Sequence, residues 1–477
     1  MKSDANPFPI TTLWAGLCLG LLLSFALPGL VSGAETKQRP NIVFIAIDDL
    51  NDWIGCLGGH PDALTPNMDR LAKRGLLFRN AHCQVPVCMA SRVSVFSGRL
   101  AANTGCYEFN AEFHEAPTLA DSIPIPLLFK RNGYATLGGG KLLHSGFQGR
   151  LAETFDENLT QGRNPTPKQS MNWPLKAWDY GAFPAQDEEM GDYQLAVKAA
   201  EYLKQKQENP FFVATGFHRP HVPLFVPQKW FDLYDRDKLT LPKAPIEDMT
   251  DIPESDITRT KAVAPSHAEV LKANKWRDYV HAYLACVSFV DHCVGVVADA
   301  ALDGPNGENT LLVLWSDHGF HLGEKQHWAK RTLWEESTRT PMIFAGAGVP
   351  KDKSTAAAVS LVDIYPTLVE AAGLNVTQKL DGVSLMPLFK DPEATWDHAV
   401  VSTWLPNNHV VIKDHWRYIH YKEGNEELYD MQNDPDEFTN LANDPRFARQ
   451  KAVLARYLPE ENAPLLQVPG HKKNKNE

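Results

Sequence analysis

At 477 residues the chain is long for a single core, so one large domain with a smaller companion is the expected organisation. Its 43% hydrophobic and 22% charged residues exclude a disordered or fibrous chain, and a formal net charge of -11 argues against nucleic acid as the main partner. Seven cysteines are too few for a disulfide scaffold, and none stands in a Cys-x-x-Cys zinc pair.

Residues 1–34 read as a signal peptide. Lys2 gives a basic start, residues 13–30 are apolar, and Ser32, Gly33 and Ala34 offer a small-residue cleavage site. The apolar stretch is long enough for a rival reading as a transmembrane anchor, but Pro28 and the small-residue exit favour cleavage. No other segment is expected to have the length and apolarity of a membrane span. The mature protein is therefore expected to be exported (periplasmic, secreted or lysosome-like), soluble, and without a membrane partner.

Residues 41–47 form an apolar run without alternation, which predicts a strand buried on both faces of a parallel sheet, and the run ends in Asp48-Asp49. Thr65 and Pro66 predict the cap and first position of a helix that runs to about Arg74 and stops at Gly75. Pro86 and Gly98 bracket a helix starting near Cys88, with Arg92 one turn on and on the same face. Three more apolar runs end in ionisable residues. Residues 134–137 lead through Gly138, Gly139 and Gly140 into Lys141, residues 211–215 through Gly216 into His218, and residues 311–315 through Ser316 into Asp317-His318. Helices are expected between them, for example over 192–206 and 276–300. Beyond about residue 380 come short strand candidates at 400–404, 410–413 and 417–421, then a helix over 447–457 and a polar tail from 471.

Strands alternating with helices predict a doubly wound α/β domain over 35–385, with a smaller α+β subdomain and a small antiparallel sheet over 386–477. Ligands of such sheets bind outside the carboxyl ends of the strands. Four strands here converge ionisable residues on that edge. Asp48, Asp49, Asp317 and His318 make a hard, oxygen-rich set suited to calcium or magnesium. One such pair alone would read as a loop start or helix cap. Two pairs at buried strand ends favour a cation, because adjacent carboxylates otherwise repel. Cys88 at a helix N-terminus with Arg92 beside it is placed to meet an anion, although a lone cysteine is more often a buried apolar residue. Whether Cys286 and Cys293 pair is open.

Residues 88–99, CMASRVSVFSGR, resemble the type I sulfatase signature, Cys-x-Pro/Ala-Ser-Arg followed by Thr/Ser-Gly-Arg. Ala90 is the less common choice there, and Phe96 stands where Leu is usual. The resemblance implies an alkaline-phosphatase-like fold and conversion of Cys88 to formylglycine by a formylglycine-generating or equivalent maturation enzyme. One hydroxyl of the aldehyde hydrate would attack sulfur and the other would later expel sulfate, whereas a plain serine would be trapped as its ester. It also implies one divalent ion (Ca2+, or Mg2+) on Asp48, Asp49, Asp317 and His318, with residue 88 near it. Lys141 and His144 match the family's Lys-x-x-His element beside the nucleophile. His218 matches the histidine on sulfate or the leaving oxygen, and Lys330 a lysine on the sulfate oxygens. Segments 106–110, 139–144, 216–223 and 323–330 resemble the iduronate-2-sulfatase branch, which implies exo action on a sulfated saccharide. Trp334, Asn407, Asn408, His409 and Trp416 are candidates for reading the sugar, since exposed aromatics stack on sugar faces. The alternatives are a phosphodiesterase or phosphonate hydrolase of the alkaline phosphatase superfamily, or a non-catalytic protein that binds sulfated glycans through an unmodified Cys88.

Overall fold

Residues 41–47 lack alternation because both faces of their strand are covered. In β1 (Asn41–Asp48) every residue is buried. Ile42, Phe44 and Ala46 enter one hydrophobic layer, and Val43, Ile45 and Ile47 the other. The computed structural model describes residues 38–255 and 265–468. The expected signal peptide and the polar tail lie outside the described residues.

β1 is central to an eight-stranded sheet. Its partners are β2 (Gly75–Phe78), β3 (Ala135–Gly140), β4 (Glu157–Asn158), β5 (Phe211–Pro220), β6 (Thr310–Ser316), β9 (Met342–Gly346) and β10 (Lys353–Thr355). A separate hairpin pairs β7 (His321–Leu322) with β8 (Trp328–Ala329). The order across the sheet is β10-β2-β9-β6-β1-β5-β3-β4. Every neighbouring pair is parallel except the two made by β9. This is a mixed, mostly parallel sheet whose strands β1, β3, β5 and β6 share one carboxyl edge. β2, β4, β9 and β10 were not among the expected strands.

The C-terminal part forms an antiparallel meander of β11 (Val400–Thr403), β12 (His409–Lys413), β13 (Trp416–His420) and β14 (Glu426–Asp430). The fourth strand was not anticipated. Thr403 N donates to Gln84 O at 2.9 Å, so the meander is tied to the segment just before Cys88.

Four helices place the site: α1 (Pro66–Lys73), α2 (Cys88–Ser97), α3 (Gly191–Leu203) and α4 (Trp276–Leu302). α2 starts at Cys88 and ends at Gly98, whose φ of 68° is the left-handed stop that glycine takes without strain. Thr65 does not cap α1: its hydroxyl accepts from Gly55 N at 2.8 Å. The first α1 amides instead reach Asp291 of α4, from Asn67 at 3.1 Å and Met68 at 2.7 Å. α4 corrects the expectation that no segment after residue 34 is long and apolar enough to cross a membrane. Its 27 residues include an 18-residue stretch of mean hydropathy 1.6, and this apolarity reflects burial within the core of this fold. Cys286 and Cys293 both lie on it and are free, as are the other described cysteines. Seven residues of helix separate their Cα atoms by about 10 Å, beyond disulfide reach.

Candidate active site

The carboxyl ends of β1 and β6 lie side by side, with Ile47 in register with Ser316. The chain turns sharply after Asp48 because Asp49 adopts a left-handed φ of 61°, a region aspartate tolerates better than most residues. Asp49 N then donates to Asp317 Oδ1 at 3.1 Å, joining the two strand tips. β3 approaches β5 closely enough that a Cβ on Gly140 would lie 2.0 Å from Gly216 O, so glycine there lets Lys141 enter the site. Lys141 N donates to Gly216 O at 2.8 Å. The N-terminus of α2 brings in Cys88 from the other side of the edge.

These elements converge on the Cys88 sulfur. Lys330 Nζ lies 3.0 Å from Sγ, His318 Nε2 3.2 Å, and Asp49 Oδ1 3.8 Å. Lys330 Nζ also pairs with Asp49 Oδ1 at 2.6 Å, and Lys141 Nζ with Asp48 Oδ2 at 2.5 Å. Donor atoms of Asp48, Cys88, Asp317 and His318 lie within 4.8 Å of one another, as do those of Asp49, Cys88 and His221. The expected metal ligands thus share one place. Asp48, Asp49, Cys88, Asp317 and His318 are all buried.

Three carboxylates in this pocket face three fixed cations: Arg92, Lys141 and Lys330. Burial alone would raise the Asp48 pKa, but the fixed cations Lys141, Arg92 and Lys330 together hold it well below the usual carboxylate range. Burial pushes the Cys88 thiol well above its ordinary value, so as a thiol it stays protonated and is a poor nucleophile. Burial also lowers His318 and His221, leaving both imidazoles neutral. His318 Nδ1 is 2.9 Å from Gly319 O, which fixes that nitrogen as the donor and turns the Nε2 lone pair toward the cluster. Asp49 Oδ2 is buried with no hydrogen-bond partner, and His221 Nε2 stands 3.8 Å away. An orphaned carboxylate oxygen beside two neutral imidazoles and further carboxylates suits a hard divalent cation.

Arg92 is not where the sequence put its function. It was expected beside residue 88 as an anion holder. Instead it is fully buried beneath the carboxylates, with Nε donating to Asp317 Oδ2 at 2.9 Å and its NH2 group to Asp48 Oδ1 at 3.3 Å. Its NH1 group donates to the carbonyls of Lys141 and Leu142. These donors are spent on the protein, so Arg92 positions the acidic residues. His144 is half-buried, its ring edge-on to Phe109 with centroids 5.0 Å apart. His218 stands at the rim with its side chain 39% exposed, and its Nδ1 lies 3.6 Å from Asp192 Oδ1. Asp192 also accepts from the backbone N–H of His218 at 3.0 Å and of Arg219 at 2.9 Å, which fixes this turn.

The sequence reading passed over His221 and Asp192. The second histidine of the His-Arg-Pro-His run was the available signal for the first. Asp192 looked like an ordinary acid at a helix start. The proposed sugar readers fare worse. Trp334 is buried and donates to Glu427 Oε2 at 2.9 Å, Asn408 and His409 are buried, and Trp416 packs on Phe447 with centroids 5.7 Å apart. None of these four is an exposed surface residue. Asn407 is exposed.

One helix supports two parts of the site. On α4, the Tyr283 hydroxyl donates to Asp49 O at 2.7 Å and accepts from Asn51 N at 3.0 Å. At its start, Trp276 Nε1 donates to Leu322 O at 2.6 Å, in the hairpin that leads to Lys330.

Residues 40–374 match the sulfatase family model, and residues 323–463 match the C-terminal model of N-sulphoglucosamine sulphohydrolase. A Formosa agariphila protein named sulfatase is 39% identical over 448 residues, which cover 89% of this chain and 87% of that one. Human iduronate 2-sulfatase is 30% identical over 421 residues, covering 76% of this chain and 74% of the relative. A phosphonate monoester hydrolase of Agrobacterium radiobacter shares the fold, with a TM-score of 0.71 at 19% identity over 88% of this chain and 94% of that one. With the signature cysteine at the focus of the strand tips and a family match over most of its length, the chain belongs to the sulfatase family, whose members hydrolyse sulfuric esters.

Proposed function

We propose that the protein removes a 2-sulfate from a terminal uronic acid of a sulfated saccharide, after export and after conversion of Cys88 to formylglycine, with one calcium ion in the acidic cluster. The observation that carries this reading is the position of Cys88, held by Lys330, His318 and Asp49 at the first residue of α2. Burial keeps a thiol there protonated, so the position favours a converted side chain over a thiolate. Asp48, Asp49, Asp317 and His318 would hold the cation, and their oxygen-rich character favours calcium. When bound, it supplies Lewis acidity toward sulfate oxygens and a lower pKa for the attacking hydroxyl.

The chain's own groups do the rest. Arg92 fixes Asp48 and Asp317. Lys330 and Lys141 put fixed positive charge beside residue 88 and attract the anionic ester. His221, neutral and close to Asp49, is placed to accept a proton. His218, held by Asp192 at the rim, would meet the leaving oxygen. The buried charges balance at three against three, so a divalent cation leaves the pocket positive and suited to a sulfate monoester. Support for the uronic acid comes from the iduronate-2-sulfatase-like segments and from the human relative.

The test uses protein co-expressed with a maturation enzyme. The mass of the peptide carrying residue 88 is measured, and sulfate release is followed from a 2-sulfated uronic acid disaccharide, with a phosphonate monoester as comparison. Conversion at residue 88 with faster sulfate release is expected. An active enzyme that keeps an unmodified cysteine, or one that prefers the phosphonate, would sink the reading.

A further inference from the structure

Lys330 belongs to a hairpin whose backbone is unusually strained. Lys325, Gln326, Ala329 and Arg331 have φ of 53°, 52°, 69° and 75°. Left-handed backbone is costly for a non-glycine residue, and such strain persists where the surroundings fix a side-chain direction. Two adjacent cations leave this hairpin. The first, Lys330, reaches the Cys88 sulfur. The second, Arg331, has no part in the chemistry described above.

Arg331 is braced by distant segments. Its NH2 group donates to Glu108 Oε2 at 3.2 Å, and its guanidinium lies over the Phe109 ring, 5.4 Å from the centroid. Glu108 is held in turn by Trp404 Nε1, which donates to Oε1 at 2.6 Å from the end of β11. Phe109 also meets the His144 ring edge-on. The brace therefore joins the segment after α2, the hairpin and the C-terminal meander. Yet Arg331 spends little of its hydrogen-bonding capacity there. Glu108 is its one carboxylate partner among the described ion pairs, and Nε has no hydrogen-bond partner. The side chain is 18% exposed, so the remaining donors have an opening. A half-buried guanidinium with Nε unpaired and its end open to solvent can take a second carboxylate in a forked pair.

We propose that Arg331 is a specificity-determining residue, which receives the carboxylate of the sugar whose sulfate ester sits at Lys330. The inference rests on the uronic acid reading above and deepens it by naming the group that selects acidic over neutral sugars. Glu108 and Trp404 are positioning residues: they hold the guanidinium but touch no substrate.

The experiment compares kcat/KM for three esters: a 2-sulfated uronic acid disaccharide, its neutral 2-sulfated counterpart, and an aryl sulfate. Wild type, Arg331→Gln and Arg331→Lys are measured. Wild type should favour the acidic sugar. In Arg331→Gln the acidic-to-neutral ratio should fall about 10- to 100-fold, chiefly through KM, as expected for one charge-assisted pair. Arg331→Lys should recover part of it. An unchanged ratio in Arg331→Gln, with the wild type still turning over the acidic sugar, overturns the inference and leaves the uronic acid reading standing. An equal loss on all three esters also overturns it and makes Arg331 a brace for Lys330. A wild type that hydrolyses the aryl sulfate but not the uronic acid ester removes both.

Discussion

Replacing Arg92 with methionine keeps much of its volume and removes its charge. The guanidinium has no exposed surface and bonds two equally buried carboxylates, Asp317 at 2.9 Å and Asp48 at 3.3 Å. Breaking a buried pair by deleting one partner costs about 3–5 kcal/mol, because the remaining charge is left without compensation. In the variant, Asp48, Asp49 and Asp317 face only Lys141 and Lys330, so the pocket gains one unbalanced negative charge. Urea unfolding with a chelator and with calcium separates the two effects. The variant should lose about 3–5 kcal/mol with the chelator, and calcium should return part of that loss. A loss below about 1 kcal/mol with the chelator would refute the reasoning, since Asp48 and Asp317 would then tolerate burial without their cation.

Asp317→Asn keeps the shape but gives up the charge on the carboxyl that accepts from Asp49, His318 and Arg92. Divalent metal content and sulfate release should fall together, the rate by about 100-fold or more, and normal metal content with a normal rate would show that Asp317 is no ligand. His221→Ala should lower kcat by about 10²- to 10⁴-fold with little change in unfolding, and a near-normal kcat would remove it from the chemistry. Asp363 reports on pH. Burial raises its pKa to about 7, against the hydrogen bonds from Ser360 and Val383 that favour its charge. The folded protein keeps this proton where the unfolded chain has lost it. That contribution to stability is therefore full below about pH 4 and is lost as pH rises to about 7, by up to ~4 kcal/mol. Asp363→Asn should flatten this part of the stability profile in unfolding measured from pH 4 to 8, and an identical slope would assign the dependence elsewhere.

The sequence was most legible where one physical cause dominated. Two-sided burial made β1 an unbroken apolar run, and a left-handed glycine marked the end of α2. Four strands ending in charged residues announced the edge where the site lies. Short elements were not legible. β2 is four residues long and directly follows α1, so its apolar run merges with the helix pattern. β14 hides a fully buried Glu427, held by Trp334, Tyr421 and Tyr429, in place of the apolar residue that would have marked a strand. Spacing put Arg92 on the face of Cys88, but which atoms it meets depends on three other strands. A tryptophan reads alike in sequence whether it caps a sugar or, as Trp334 does, donates to a buried glutamate.

Because α4 carries both the aspartate turn through Tyr283 and the lysine hairpin through Trp276, the two halves of the pocket hang from one post. Neither half can drift while that helix stays docked, and both are released together when it leaves. Amides around 49–51 and 322–329 should then exchange with solvent in a single cooperative opening, and heat should cost the enzyme its rate only at the temperature where it also costs α4 its seat.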